Sequence, residues 1–357
     1  LHFWRAFTHW LGGMGILVMT IALVPSLGAS STLYLLRAES PGPTTEKLTP
    51  KYKESAKTLY LIYIALSGLL LLLLIALGMP VADAFIHTFS TAGTGGFSNR
   101  ALSAGAYGPP AVEWVLSIFM VLFGFNFAVH HLFVTRRFRK AFQNSEMRLY
   151  VAVVLVAWLL VTLNIRPLYG GWMPTVRNAF FQVTTIMSTT GFATADYTVW
   201  PVFSQAVLML VMLIGGCAGS TAGGLKVIRV LILTKSIRRE VDSIVHPRMV
   251  RAVKLDDHQV EKEVIHNVLI FFVTFMVLFF FGTLAVSLDG YDFATSASAV
   301  WTCLNNTGPG LGLVGPMGSF AIFSPLSKVV LIFMMLLGRL EIFPVLLLFS
   351  RPFWRKA

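Results

Sequence analysis

Apolar residues fall along this chain in runs long enough to cross a bilayer, separated by stretches rich in Ser, Thr, Asn, Gly and basic residues. A helical crossing needs about 20 residues. Runs of that size lie near 7–24, 58–79, 112–134, 149–165, 202–233, 265–287 and 325–350, which predicts seven spans in an all-α, polytopic membrane protein. The run 202–233 is too long for one crossing, and Gly215, Gly216, Cys217, Ala218, Gly219, Ser220, Thr221, Ala222, Gly223 and Gly224 interrupt it. Each glycine costs about 1 kcal/mol relative to alanine in a helix interior, so this run is predicted to be a broken helix.

The composition agrees: 56% of the 357 residues are hydrophobic and 12% charged, which excludes an ordinary soluble domain. A net charge of +12 would suit a nucleic-acid partner if the basic residues were clustered in a soluble face, but their placement says otherwise. Of 28 Lys and Arg, 22 lie in 25–57, 135–148, 226–262 and 351–357. Arg5, Arg100, Arg166, Arg177 and Lys328 lie in the alternate set, and Arg339 stands alone inside a span. By the positive-inside rule the basic connections are cytoplasmic, and the partner of the surface is lipid rather than nucleic acid. Cys217 and Cys303 sit in apolar stretches without metal-ligand spacing, and residues 1–6 lack the basic start and cleavage site of a signal peptide.

On the non-cytoplasmic side three segments share one layout. Asp83, Asn178 and Thr295, each a good N-cap type, stand thirteen positions before Gly96, Gly191 and Gly308 respectively. Repetition of this kind marks a repeated structural unit. Each segment predicts a re-entrant half-helix of about 15 Å, half a bilayer, ending in a short polar and glycine-rich stretch. The three stretches are Thr94-Gly95-Gly96, Ser188-Thr189-Thr190-Gly191 and Asn305-Asn306-Thr307-Gly308. Irregular backbone survives at membrane depth only when buried in protein or facing water.

Glycine opens φ values closed to other residues, so successive carbonyls can point to one side and replace the hydration shell of a monovalent cation. The partially negative C-terminal ends of the half-helices favour a cation at the same spot. One such segment alone would fit a close helix contact of the small-xxx-small kind. Three copies at one spacing, each between two spans and all on one face, favour an ion filter.

At these residues the chain resembles the TrkH subfamily of the Trk/Ktr/HKT potassium transporters. The stretches that carry the likeness are Phe3-Trp4-Arg5, Trp10-Leu11-Gly12-Gly13-Met14-Gly15-Ile16, Thr94-Gly95-Gly96-Phe97-Ser98, Ser188 to Ala193, Gly215 to Lys226, Asn305 to Gly310, and Leu337-Gly338-Arg339-Leu340-Glu341-Ile342-Phe343-Pro344. The resemblance implies helix, half-helix, filter loop and helix units around a central ion pore. Residues 1–57 would hold the second helix of a first unit and a cytoplasmic loop, with further units at 58–146, 147–262 and 263–357. The first filter would then lie before Leu1, and the chain alone is expected not to form a selective pore. The likeness further implies a multi-pass protein of the cell inner membrane with no enzymatic chemistry and no cofactor. The transported ion would be K+, held at the filter residues, with sodium conduction or a non-conducting assembly subunit as alternatives. It also implies a homodimer and a cytoplasmic, nucleotide-binding regulatory ring of the TrkA type, for which the basic segment 226–262 is a candidate docking face.

Arg339 lies about 20 Å into its span at helical rise. A guanidinium there costs at least about 2.5–3.5 kcal/mol, so it should meet the pore or a polar partner, with a backbone carbonyl favoured over Glu341. The stretch 215–224 interrupts its span at a similar depth, which predicts a gate loop beneath the filter held by Arg339. A phosphate-loop reading of this stretch fails, because Lys226 does not follow a glycine and precede Ser or Thr. His87, His130, His131 and His246 share no metal spacing, and capping is the favoured role for Asp83 and Asp292.

Overall fold

A computed structural model describes residues 1–13, 15, 52–246, 252–256 and 258–349. The rest of the span 7–24, the connection 25–57 as far as Lys51, residues 247–251 and 257 of the segment 226–262, and the tail 351–357 lie outside the described residues.

The apolar runs separate into two kinds of helix. Three are continuous: α2 (Tyr52–Ala76), α7 (Ser145–Ile165) and α11 (Lys262–Val286), following α1 (His2–Gly13) and the elements between them. Among the described residues these are the helices long and apolar enough to cross a membrane singly. Their outer faces carry exposed Leu72, Leu159, Leu163, Phe280, Phe281 and Leu284, an apolar surface of the kind that meets lipid or other protein.

The alternate runs are interrupted. The run 112–134, expected as one span, is two helices, α4 (Pro110–Gly124) and α5 (Phe127–Val134), bent by 101°. The bend has a local cause: Phe125 is extended, and Asn126 caps α5 by accepting from Ala128 N at 2.8 Å. The run 202–233 breaks as expected, into α9 (Val202–Ile214) and α10 (Val227–Val245). The last run ends α13 (Pro325–Arg339) at Arg339, and α14 (Phe343–Leu348) follows after Glu341 and Ile342, both at positive φ (62° and 51°).

Between each pair lies a half-helix: α3 (Val81–Ala92), α8 (Trp172–Met187) and α12 (Phe293–Asn305). Each helps build a separate hydrophobic cluster with its flanking helices: Ala84 with Leu70 and Leu116, Val183 with Val154 and Val211, and Val300 with Phe275 and Leu331. Neighbours interlock, because Phe192, just past the second polar stretch, is buried in the first cluster and stacks on His87 with ring centroids 5.3 Å apart.

The expected N-caps at Asp83, Asn178 and Thr295 are not observed. Pro80, Gly171 and Asp292 occupy those positions, so all three half-helices start earlier. Asn178 lies in mid-helix because the extended Gly171 starts α8 and accepts a bond from Thr175 Oγ1 at 2.7 Å. Asp292 is a cap, accepting from Thr295 N at 3.0 Å. Asp83 instead pairs with Arg100 at 2.9 Å and accepts from Asn99 and Tyr107. Burial raises its pKa, but these bonds and the Arg100 charge outweigh that effect and hold the carboxyl below the usual range.

At the opposite end, α6 (Phe138–Gln143) and the hairpin of β1 (Lys254–Leu255) and β2 (His258–Gln259) carry basic residues of the predicted cytoplasmic connections. Asp256 ties the hairpin to the start of α7, accepting from Ser145 N at 2.9 Å.

Candidate ion filter and gate

The three half-helices end alike. At the position two before Gly96, Gly191 and Gly308, Thr94, Thr189 and Asn306 adopt φ of 58°, 54° and 55°. The next amide in each case reaches back five residues: Gly95 N to Ser90 O at 2.7 Å, Thr190 N to Thr185 O at 2.9 Å, and Thr307 N to Thr302 O at 3.0 Å. This is a Schellman-type end, in which a left-handed residue lets the following amide satisfy an orphan carbonyl. Asn tolerates that conformation, whereas a β-branched Thr is an outlier there, so surrounding contacts must hold it. The repeat therefore extends to backbone conformation.

Gly96, Gly191 and Gly308 follow at φ of 64°, 86° and 110°. A Cβ on Gly96 would strike the Thr190 carbonyl, and one on Gly191 the Thr307 carbonyl. The first stretch thus abuts the second, and the second the third, through a bare glycine. The polar stretches open on a cavity of about 940 Å³, lined by Thr94, Gly95, Thr189, Asn306, Thr307 and Gly308 and, across from them, Gly223 and Arg339.

Arg5 and His9 of α1 also line this cavity. Arg5 lies over the Phe97 ring at 3.7 Å from its centroid, and the His9 ring makes an edge contact with Phe97 at 5.1 Å. His9 escaped the sequence reading, since only the packing of α1 against α3 brings it beside Gly93 and Gly95.

The stretch 215–224 is a buried loop fastened on several sides. From the bend between α4 and α5, Gly124 O accepts from Cys217 N at 2.9 Å and Phe127 N donates to Gly219 O at 3.1 Å. Ala218 N donates to the buried Glu146 Oε1 at 2.6 Å. Toward the third polar stretch, Gly224 N donates to Asn305 O at 3.1 Å. Lys226, buried and at φ 80°, donates back to Ala222 O.

Arg339 donates to the Thr221 carbonyl at 3.1 Å, the backbone partner expected for it. Glu341 is engaged elsewhere: it pairs with Arg229 of α10, whose guanidinium also lies over the Phe271 ring at 3.9 Å. All three interruptions therefore meet. The bend at Phe125 and Asn126 and the pair Arg229–Glu341 were not read from the sequence; an asparagine N-cap type inside an apolar run was the available signal for the first.

His87 and His130 are structural, bonded to the carbonyls of Asp83 and Leu122 at 2.8 Å each. Among the described residues no group of His, Cys, Asp and Glu could hold a metal ion.

A family described as TrkH, cation transport protein, matches residues 1–169 and 172–355. The chain is 39% identical to the Trk system potassium uptake protein TrkH of Salmonella typhimurium over 358 residues, which is 99% of this chain and 74% of that protein. It is 33% identical to the Trk system potassium uptake protein TrkG of Escherichia coli over 360 residues, 99% of this chain and 73% of that protein. The crystal structure of the potassium transporter TrkH from Vibrio parahaemolyticus superposes with a TM-score of 0.84 at 34% identity, covering 99% of this chain and 73% of that one.

Proposed function

Since the chain belongs to the TrkH family of cation transport proteins, a transport family and not one of enzymes, we propose that it takes part in potassium uptake across the cell inner membrane. The carbonyls of 94–96, 188–191 and 305–308 form the walls of a potassium filter, and 215–224 with Arg339 forms the gate beneath it. The observation that carries this reading is the threefold half-helix end, a left-handed residue two before a glycine, with Gly96 packed on the Thr190 carbonyl and Gly191 on the Thr307 carbonyl. Side chains cannot enter those contacts, so backbone oxygens are the available ligands for a dehydrated cation. The half-helix C-termini add negative potential at the same place, and no resident cofactor is needed.

In this reading 58–146, 147–262 and 263–357 are three pore units, and 1–57 contributes a helix of another. The protein acts as a homodimer with a nucleotide-binding cytoplasmic ring of the TrkA type, docked on the basic face of 226–262, which would pull on α10 and so on the loop that precedes it. Replacing Gly191 with Ser in the full-length protein tests the filter: the ratio of potassium to sodium uptake should fall, because the added atoms displace the Thr307 carbonyl. A ratio equal to that of the parent protein would refute the assignment.

A further inference from the structure

Resting on the reading of these stretches as filter and gate, we infer that the filter threonines Thr94 and Thr189 hold the gate closed through their own hydroxyls, so that the loop cannot leave without changing the inner end of the filter. Thr94 Oγ1 lies 2.9 Å from the Thr221 carbonyl and 2.6 Å from the Gly93 carbonyl, and its one hydrogen can be donated to either. The Thr221 carbonyl also accepts from Arg339 at 3.1 Å. A carbonyl oxygen has two lone pairs, and here one is met from the filter and the other from the gate arginine. On the neighbouring stretch the polarity reverses: Gly223 N donates to Thr189 Oγ1 at 2.6 Å.

These contacts occupy the two residues held in a conformation that β-branched side chains avoid, at φ of 58° and 54°. Both side chains are buried, and both residues line the cavity below the filter. Loop departure leaves the Thr94 hydroxyl with Gly93 O as its acceptor and takes from Thr189 Oγ1 the Gly223 amide that donates to it. A buried oxygen that loses its donor is unfavourable. The chemistry that replaces the loop in that cavity is a monovalent cation or its water, to which both hydroxyl oxygens can turn. Opening then converts two loop anchors into ion ligands. Linkage makes the effect reciprocal: a cation that prefers the freed hydroxyls favours the open loop.

The test is rubidium uptake into proteoliposomes holding the full-length protein, comparing Thr94→Val, Thr189→Val, Thr94→Ser and Arg339→Ala, and the double variant of Thr94→Val with Arg339→Ala. Valine keeps the shape and removes the hydroxyl. Each valine variant should raise basal flux several-fold and shift the half-saturating rubidium concentration at least twofold, while Thr94→Ser stays closer to the parent than Thr94→Val. The double variant should fall short of the product of its single effects, because both residues act on one carbonyl. Valine variants with parental or lower flux, or effects that multiply independently, overturn the inference. If Arg339→Ala raises flux and the valine variants do not, the coupling alone fails. If Arg339→Ala has no effect either, the gate reading fails with it. The two threonines act on different loop residues, so either variant carries the test if the other does not assemble.

Discussion

The continuous helices α2, α7 and α11 and the interrupted ones that alternate with them have similarly apolar sequences and opposite constructions. The first set satisfies every interior backbone group within the helix and presents large apolar side chains outward. The second set gives up helical bonds at Phe125 and Asn126, at 215–226, and from Leu340 to Ile342; the bend and the loop exchange backbone bonds, and Arg339 and Glu341 reach the loop and α10 through their side chains. Irregular backbone is tolerable inside a membrane only when other protein groups or water satisfy it. Three interruptions that bond together meet that condition jointly, where one break facing lipid would not. The broken helices therefore form one assembly: a loop at the centre, a bend that receives it and an arginine that fastens it.

The largest effect expected from this comparison sets one glycine of each kind side by side. Gly215 has φ 68° and a Cβ there would strike the Gly223 carbonyl, whereas at Gly68, within α2, a Cβ meets nothing within 4 Å. Gly215→Ala should cost more than the about 1–3 kcal/mol of its backbone conformation alone, at φ 68° and ψ −158° one essentially confined to glycine, and lower the melting temperature in detergent sharply. Gly68→Ala should be neutral or stabilising by up to about 1 kcal/mol. Equal shifts would erase the distinction between the helices.

Arg339→Ala removes a charge-assisted bond of about 1.5–3 kcal/mol, so the closed state should weaken about 10- to 100-fold. Cation flux should rise while the potassium-to-sodium ratio is kept, and reduced flux in well-folded protein would count against the gate.

The bend offers a smaller handle. Asn126→Ala should cost about 1–2 kcal/mol through loss of the α5 cap, and because α5 begins where Phe127 N bonds Gly219 O, basal flux should rise modestly as well. A pure stability loss with parental flux per folded molecule would separate the bend from the gate.

The smallest effect belongs to the outer end of a half-helix. Hydrogen bonds from the Thr295 hydroxyl and amide hold the Asp292 carboxyl below its usual pKa. Its charged form therefore stabilises the fold above the usual carboxylate range, and the contribution fades as pH falls through the depressed value. Asp292→Ala should cost about 0.5–1 kcal/mol near neutral pH, and its deficit against the parent should shrink on acidification. A deficit independent of pH would assign the effect to packing.

Much of this arrangement was legible beforehand. The thirteen-residue frame located Gly96, Gly191 and Gly308, the run of small residues located the central loop, and the cost of an intramembrane charge led to a backbone partner for Arg339. The half-helix starts were misplaced because Asp83, Asn178 and Thr295 are good caps by type, while Gly171 and Pro80 start helices by conformation, which composition conceals. The bend at Phe125 lies inside the apolar run 112–134, where Asn126 is its one local signal.

By itself the sequence determined the alternation of apolar runs, the basic connections, the repeated glycine frame and the position of the broken segment, because each depends on residue type at local spacing. Tertiary packing alone sets which carbonyl Arg339 takes, that Glu341 goes to Arg229, that His9 stands beside Gly93 and Gly95, and that Thr94 and Thr189 reach the central loop. Those pairings join residues far apart in the chain, from 34 positions for Gly223 and Thr189 to 127 for Thr94 and Thr221. Such pairs meet through the packing of whole helices, since a buried polar group takes whichever partner that packing brings within reach.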